Sequence, residues 1–451
     1  MKTTGRRSIV LYILLLCFLG GMVWFGVRLL NDGGKWVGQA YNGHIYDSGR
    51  ATDPGRIYDR NGVLLADTID GKRVYSENKK IRRSVLHTVG DSSGYIGTSV
   101  QATKRAELMG YNIFTGINKT PLAAFGGNDL KLTLDAEICA AAYEGLNGKN
   151  GSVIMYNYLT GETICKVSAP GYDPMNVPED LLTNLDYDGV LLDNNLSSCY
   201  TPGSVFKIIT AACAIENLDD WQTRTYFCEQ EIKYKEGEVT CLDYHGELDL
   251  ESAMKYSCNC YFALLAEDLG HKKLMKTAEE LGFNDNFSFE GMNTAASSIN
   301  LDRKTRDVDL GWAAVGQYTV TANTNHFMCL MGAIANGGSY VEPYAVDGFA
   351  FSPKETRLMS SATAGELKKL LRVTVSEYYG DDMFPGMSVC AKTGTAETGE
   401  GREPNAWMVG FSSDPEYPFA FAICVEEGGS GYRAAGSVAT TIMTMAKERI
   451  G

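Results

Sequence analysis

The sequence has no internal repeat, no long low-complexity tract and no excess of positive charge. Lysine and arginine number 41 against 55 acidic residues, a net charge of −14. That balance argues against a nucleic-acid partner, which selects basic surfaces. The absence of repeats excludes a solenoid or propeller. No cysteines occur as spaced C-x2-C pairs, so the pattern of a zinc ribbon is missing. No A-x-A-like cleavage site follows the one long apolar run, so that run does not read as a removable signal peptide.

That run is Ile9 to Val27, IVLYILLLCFLGGMVWFGV, 19 residues without a charge. Its length suits a bilayer span, and Lys2, Arg6 and Arg7 before it predict a cytoplasmic N-terminus. We expect a cytoplasmic tail over 1–8, a transmembrane anchor over 9–27 and everything beyond outside the membrane. The remaining chain is long enough for two or three cores. Its order of strands, many helices, strands and a last helix predicts an α+β or α/β arrangement whose sheet takes strands from both ends of the segment. A short strand, an Asp135 cap and a helix are expected over 129–146. Two strands joined at Thr160-Gly161 are expected over 151–174, mostly helix over 200–340, and strands over 387–397, 405–413 and 418–427. The last helix is expected over 433–449. GRIYDRNGVLLADT (55–68) reads as a strand and a turn at Asn61-Gly62.

Three short patterns carry polar residues into apolar surroundings. In YTPGSVFKIITAACAIE (200–216), Ser204 and Lys207 stand at i and i+3 behind Pro-Gly, on a helix apolar nearly all round. A lysine buried there is costly unless used, and desolvation would lower its pKa toward that of a base. Ser252 and Lys255 repeat the spacing in what reads as a surface turn. Ser257 and Asn259 flank Cys258 and can converge only if a bend separates two helices; the plainer reading is helix capping. Ser298 and Asn300 repeat that spacing in loop-like sequence. Lys392-Thr393-Gly394-Thr395 lies in a strand-like run, where the glycine marks a close approach of ligand or backbone. The plainer reading there is an edge strand guarded by lysine. Strict alternation sets Thr393 and Thr395 on one face and Lys392 on the other.

S-x-x-K, S-x-N and K-T-G occur here in one order, and together the chain resembles the penicillin-interacting serine transpeptidases, the family that carries this set. It is most similar to class B penicillin-binding proteins, through YTPGSVFK, HGELDLESAMKYSCNCYF, KTGTAE and GRIYDRNGVLLA. The resemblance implies a transpeptidase or serine β-lactamase-like domain over 131–451, an antiparallel sheet packed with helices. A small strand-rich pedestal without catalytic residues over 28–130 would precede it. It implies a peptidoglycan D,D-transpeptidase that passes through an acyl-serine and is acylated by β-lactams. Ser204, Lys207, Ser257, Asn259 and Lys392 would be catalytic, and Thr393, Gly394 and Thr395 would bind the substrate. It implies no metal or organic cofactor. The implied partners are peptidoglycan stem peptides, β-lactams and a polytopic membrane glycan polymerase, since no glycosyltransferase segment is found. A D,D-carboxypeptidase or a β-lactamase is the alternative enzyme, although no glutamate for a deacylating water stands out. A β-lactam sensor or scaffold of a cell-wall complex is the alternative outside enzymes.

Eleven of the twelve cysteines follow the anchor. Cys213, Cys329 and Cys424 read as small core residues. Cys228, Cys241, His245, Cys258 and Cys260 cluster in sequence, and EQEIKYKEGEVT (229–240) between the first two reads as a hairpin turning near Glu236-Gly237. Free thiols, a cross-hairpin Cys228–Cys241 disulfide and a metal site stay open there, the metal disfavoured by the spacing.

Overall fold

The computed structural model describes residues 2–37, 53–114, 116–117, 127–348, 353–399 and 401–450. Two compact units emerge. The first comprises residues 1–58, 64–75 and 89–130, and the second 59–63, 76–88 and 131–451.

The first unit begins with the helix Lys2–Val37, longer at both ends than the apolar run. Its Arg7–Gly34 stretch is long and apolar enough to cross a membrane, and its most apolar 18 residues are not buried in the protein. A small sheet follows in the order Lys72–Tyr75, Leu64–Ile69, Ile57–Tyr58, Leu130–Lys131, the first three strands antiparallel. Arg73 braces it by donating to the Gly55 carbonyl at 2.7 Å and to Gln101 Oε1 at 2.7 Å.

The second unit is built on a five-stranded antiparallel sheet in the order Val389–Ala396, Asn405–Ser412, Phe419–Val425, Gly151–Asn157, Thr163–Ala169. Strands from both ends of the segment interleave. The three strands in the middle are buried along almost their whole length. That explains why FAFAICV runs apolar without alternation: both faces are covered. Adjacent residues show the two faces. Trp407 packs on Phe327 of the helix Thr324–Ala335, with ring centroids 5.9 Å apart. Met408 turns the other way, toward Gly436 of the helix Ala434–Ile450. Asp135 caps the helix Ala136–Gly145 through the Glu137 and Ile138 N–H groups. Asp59 forms the Asn61-Gly62 turn by accepting from the Asn61 and Val63 N–H groups at 2.8 Å each.

The 200–340 stretch is mainly helical among its regular elements, as expected, with the expected hairpin set into it. It carries the antiparallel hairpin Glu231–Tyr234 with Gly237–Thr240 and the pair Tyr226–Cys228 with Gly246–Leu248. The alternating exposure of EIKY and GEVT suits strands open to solvent on one face.

Candidate active site

The helix expected to hold Ser204 and Lys207 begins differently. Gly203–Phe206 is a 3-10 turn, and the α-helix starts at Lys207 and runs to Asn217. In a 3-10 turn, i and i+3 eclipse, which stacks the two side chains more closely than an α-helix does. Gly203 takes a φ of +58°, and a Cβ there would stand 2.8 Å from the Thr395 carbonyl oxygen. The turn therefore presses its backbone against the strand Val389–Ala396.

Lys207 is fully buried. Its Nζ lies 3.1 Å from Ser204 Oγ, 2.6 Å from the Ser257 carbonyl oxygen, 3.1 Å from Ser257 Oγ and 2.7 Å from Asn259 Oδ1. Burial pushes its pKa down from 10.5 to about 7, and the nearby charge of Lys392 pushes the same way. The bond pattern accommodates a neutral amine. The Ser257 carbonyl and Asn259 Oδ1 can only accept. A neutral amine has two N–H groups for those two oxygens, and its single lone pair is left for one hydroxyl proton, that of Ser204 or of Ser257, each 3.1 Å away.

Ser257 and Asn259 reach this amine because the chain bends between them. The helix Leu250–Tyr256 ends at Ser257 in the left-handed region, φ 58° and ψ 39°. Cys258 then caps the helix Asn259–Glu280, its Sγ accepting from the Tyr261 N–H. Asn259 Nδ2 donates to the Thr240 carbonyl at 2.9 Å, which turns Oδ1 toward Lys207. Capping and convergence thus coexist: Cys258, not Ser257 or Asn259, is the capping side chain.

The strand Val389–Ala396 is the edge of the sheet and runs past the serine turn. Lys392 is fully buried, and desolvation lowers its pKa to about 7. Thr393 and Thr395 face outward, Thr395 exposed. The alternation anticipated from the sequence is present, and the lysine acts from the buried face through its field on Lys207. Gly394 answers to backbone: a Cβ there would meet the Pro202 carbonyl at 2.6 Å. The Thr393 N–H donates to the Tyr379 hydroxyl at 3.0 Å, away from the sheet. The Thr395 N–H, two residues on, points to the same free edge.

Tyr379 had no signature in the sequence. It ends a π-helical turn, Val375–Tyr379, and its hydroxyl also lies 2.8 Å from Thr393 Oγ1. Thr395 Oγ1 accepts from the Gly431 N–H at 3.2 Å. Both repeats of the motif spacings fall elsewhere. Lys255 is ion-paired with Glu377 at 2.9 Å, and Ser298 pairs with Thr321 in a loop.

The penicillin-binding protein transpeptidase domain model matches residues 151–444. This chain belongs to the penicillin-binding protein transpeptidase family. It is a serine peptidoglycan D,D-transpeptidase of that family, with relatives among the class B proteins. The peptidoglycan D,D-transpeptidase PbpA of Mycolicibacterium smegmatis is 26% identical over 391 residues, covering 76% of this chain and 77% of that protein. Penicillin-binding protein 3 of Bacillus subtilis is 26% identical over 75% of this chain, which spans only 54% of that longer protein. Among solved structures, the D,D-transpeptidase domain of a peptidoglycan glycosyltransferase from Eggerthella lenta superposes with a TM-score of 0.77 at 28% identity, over 89% of this chain and 99% of that one. Penicillin-binding protein A of Mycobacterium tuberculosis, solved as a ceftriaxone acyl-enzyme, shares the fold with a TM-score of 0.76 at 23% identity, over 88% of this chain and 99% of that one.

Proposed function

We propose that Ser204 is the nucleophile, and Lys207 its base, in a two-step acyl transfer between peptidoglycan stem peptides. The observation that carries this is the set of oxygens around Lys207 Nζ, which engages both N–H groups of a neutral amine and leaves its lone pair for the Ser204 hydroxyl proton.

In the first step Ser204 Oγ attacks the carbonyl carbon between two terminal D-alanines as its proton passes to Lys207. The N–H groups of Ser204 and Thr395 take the oxyanion; donors of this kind each lower the barrier by roughly 2.7–4 kcal/mol. The proton then moves from Lys207 through the Ser257 hydroxyl, 3.1 Å away, to the departing amine. The terminal D-alanine leaves and the acyl-serine remains. In the second step the amine of a neighbouring stem attacks this ester, loses its proton by the same relay in reverse, and releases Ser204. Thr393 and Thr395 bind the terminal carboxylate on the outer face of the edge strand. Gly394 keeps that strand close to the nucleophile, and Lys392 contributes positive field from beneath. Asn259 orients Lys207 and reaches the substrate amide.

β-Lactams acylate Ser204 because their strained amide presents the same carbonyl and carboxylate as the D-Ala-D-Ala terminus. The residues from 28 to 130 serve as a pedestal without catalytic residues, ahead of the transpeptidase domain over 131–451. Lys2, Arg6 and Arg7 hold the N-terminus on the cytoplasmic side, with the catalytic unit outside. A polytopic membrane polymerase supplies the glycan.

The test is product analysis with a stem peptide ending in D-Ala-D-Ala and a stem-peptide amine acceptor. Crosslinked dimer together with released D-alanine supports the reading. Released D-alanine without dimer makes the chain a carboxypeptidase, and neither product makes it a sensor or scaffold.

A further inference from the structure

Behind the Ser257–Asn259 turn stands a cluster that the acyl-transfer chemistry does not use. Cys228 ends the strand Tyr226–Cys228, and Cys241 follows the strand Gly237–Thr240. His245 precedes the strand Gly246–Leu248, and Cys258 begins the helix Asn259–Glu280. Their three sulfurs and one ring nitrogen all lie within 4.8 Å of one another. The Cys228 and Cys241 sulfurs are each 3.5 Å from His245 Nδ1, and the Cys241 and Cys258 sulfurs are 4.0 Å apart. All three cysteines are free thiols.

These separations are close to those of a coordination shell. A tetrahedral zinc ion with bonds of about 2.3 Å to sulfur and about 2.0 Å to nitrogen holds its ligand atoms about 3.5–3.8 Å apart. A cross-hairpin disulfide would need only two of these sulfurs and no imidazole. Sequence spacing argued against a metal because no two ligands stand in a C-x2-C pair. The fold removes that objection by folding a hairpin, a turn and a helix start onto one point.

We propose that Cys228, Cys241, His245 and Cys258 hold one structural zinc ion in Cys3His coordination. Three thiolates and an imidazole favour zinc over hard, oxygen-seeking cations. Protein atoms fill all four positions, so the ion is closed to water and substrate. The Tyr261 N–H, 3.4 Å from Cys258 Sγ, stabilises a thiolate there. The ring of Tyr256 stacks on His245 at 5.8 Å and 21° and fixes the imidazole plane. The ion fastens the hairpin carrying Thr240 to the turn carrying Ser257 and Asn259. Its role is therefore to position the two residues that contact Lys207.

The experiment is elemental analysis of the detergent-solubilised full chain, purified without added metal or chelator and then also after exposure to equimolar zinc. About one zinc per chain is expected. Cys228→Ser and His245→Ala, both outside the Ser257–Asn259 turn, are expected to lose it while circular dichroism shows them folded. Cys260→Ser is expected to keep it, because that thiol, although near Cys241 and Cys258, is not among the four mutually close ligands. Wild-type protein that is folded yet holds no zinc after zinc exposure would overturn the proposal. So would unchanged zinc in Cys228→Ser, or an intact mass two protons light that reductant restores, the sign of a Cys228–Cys241 disulfide. Metal content is read independently of acylation, so failure here leaves the acyl-transfer reading untouched.

Discussion

The pH dependence of acylation follows from the burial of Lys207. An ordinary lysine with a pKa of 10.5 would be neutral in about one molecule in 3,000 at pH 7. At a pKa of about 7, half the molecules carry the neutral amine. The depression thus supplies on the order of 1,000-fold more active base, equivalent to about 4 kcal/mol. The rate constant for acylation by a fluorescent penicillin should fall about tenfold per unit below pH 6 and level off above pH 8. Lys207→Ala should lose about 10²- to 10⁴-fold and flatten the profile. Linkage sets a companion sign. The folded pKa lies below the unfolded one, so between about pH 7 and 10.5 the unfolded chain holds a proton that the folded chain lacks. Stability therefore rises with pH across that window, and this contribution is lost as pH falls toward 7. Stopped-flow acylation from pH 5 to 9 is the assay. A rate still climbing tenfold per unit at pH 9, or one flat from pH 5, would refute the reasoning.

Other perturbations test separate parts of the account. Lys392→Met removes a positive charge that holds the Lys207 pKa down, so the midpoint of the acylation profile should move to higher pH. Asn259→Ala strands one Lys207 N–H and the Thr240 carbonyl; at about 1–3 kcal/mol the acylation rate should drop roughly 5- to 150-fold, measured by gel fluorescence over time. Lys166 and Asp193 form a buried ion pair at the far edge of the sheet. Lys166→Met should destabilise the protein by about 3–5 kcal/mol in urea unfolding, and Lys166→Met with Asp193→Leu should recover much of it.

What could be read from sequence followed the range of the signal. The spacings that bring Ser204 to Lys207 and Ser257 to Asn259 are local, set by one turn of chain, and were visible as polar residues in apolar surroundings. Convergence of Ser257 and Asn259 required a bend between two helices, and Ser257 supplies it at a φ of +58°. The central strands announced themselves as short apolar runs. Their order did not, because the pairing of Phe419–Val425 with Gly151–Asn157 joins residues far apart in sequence. The hairpin at 231–240 was legible because its pairing is local, closing at Glu236-Gly237 with Tyr234 opposite Gly237. Tyr379 touches the edge strand only through tertiary packing and carried no motif. The cysteines and His245 were visible as a cluster in sequence, but the spacing hid their meeting at one point, which takes the hairpin, a turn and a helix start folded together.

The central claim is that Ser204 becomes acylated with help from Lys207. Intact mass of the chain after incubation with penicillin, beside Ser204→Ala, tests it most directly. The account predicts one stable adduct per chain, absent from Ser204→Ala. An adduct that survives in Ser204→Ala, or none in the wild-type chain, would contradict it.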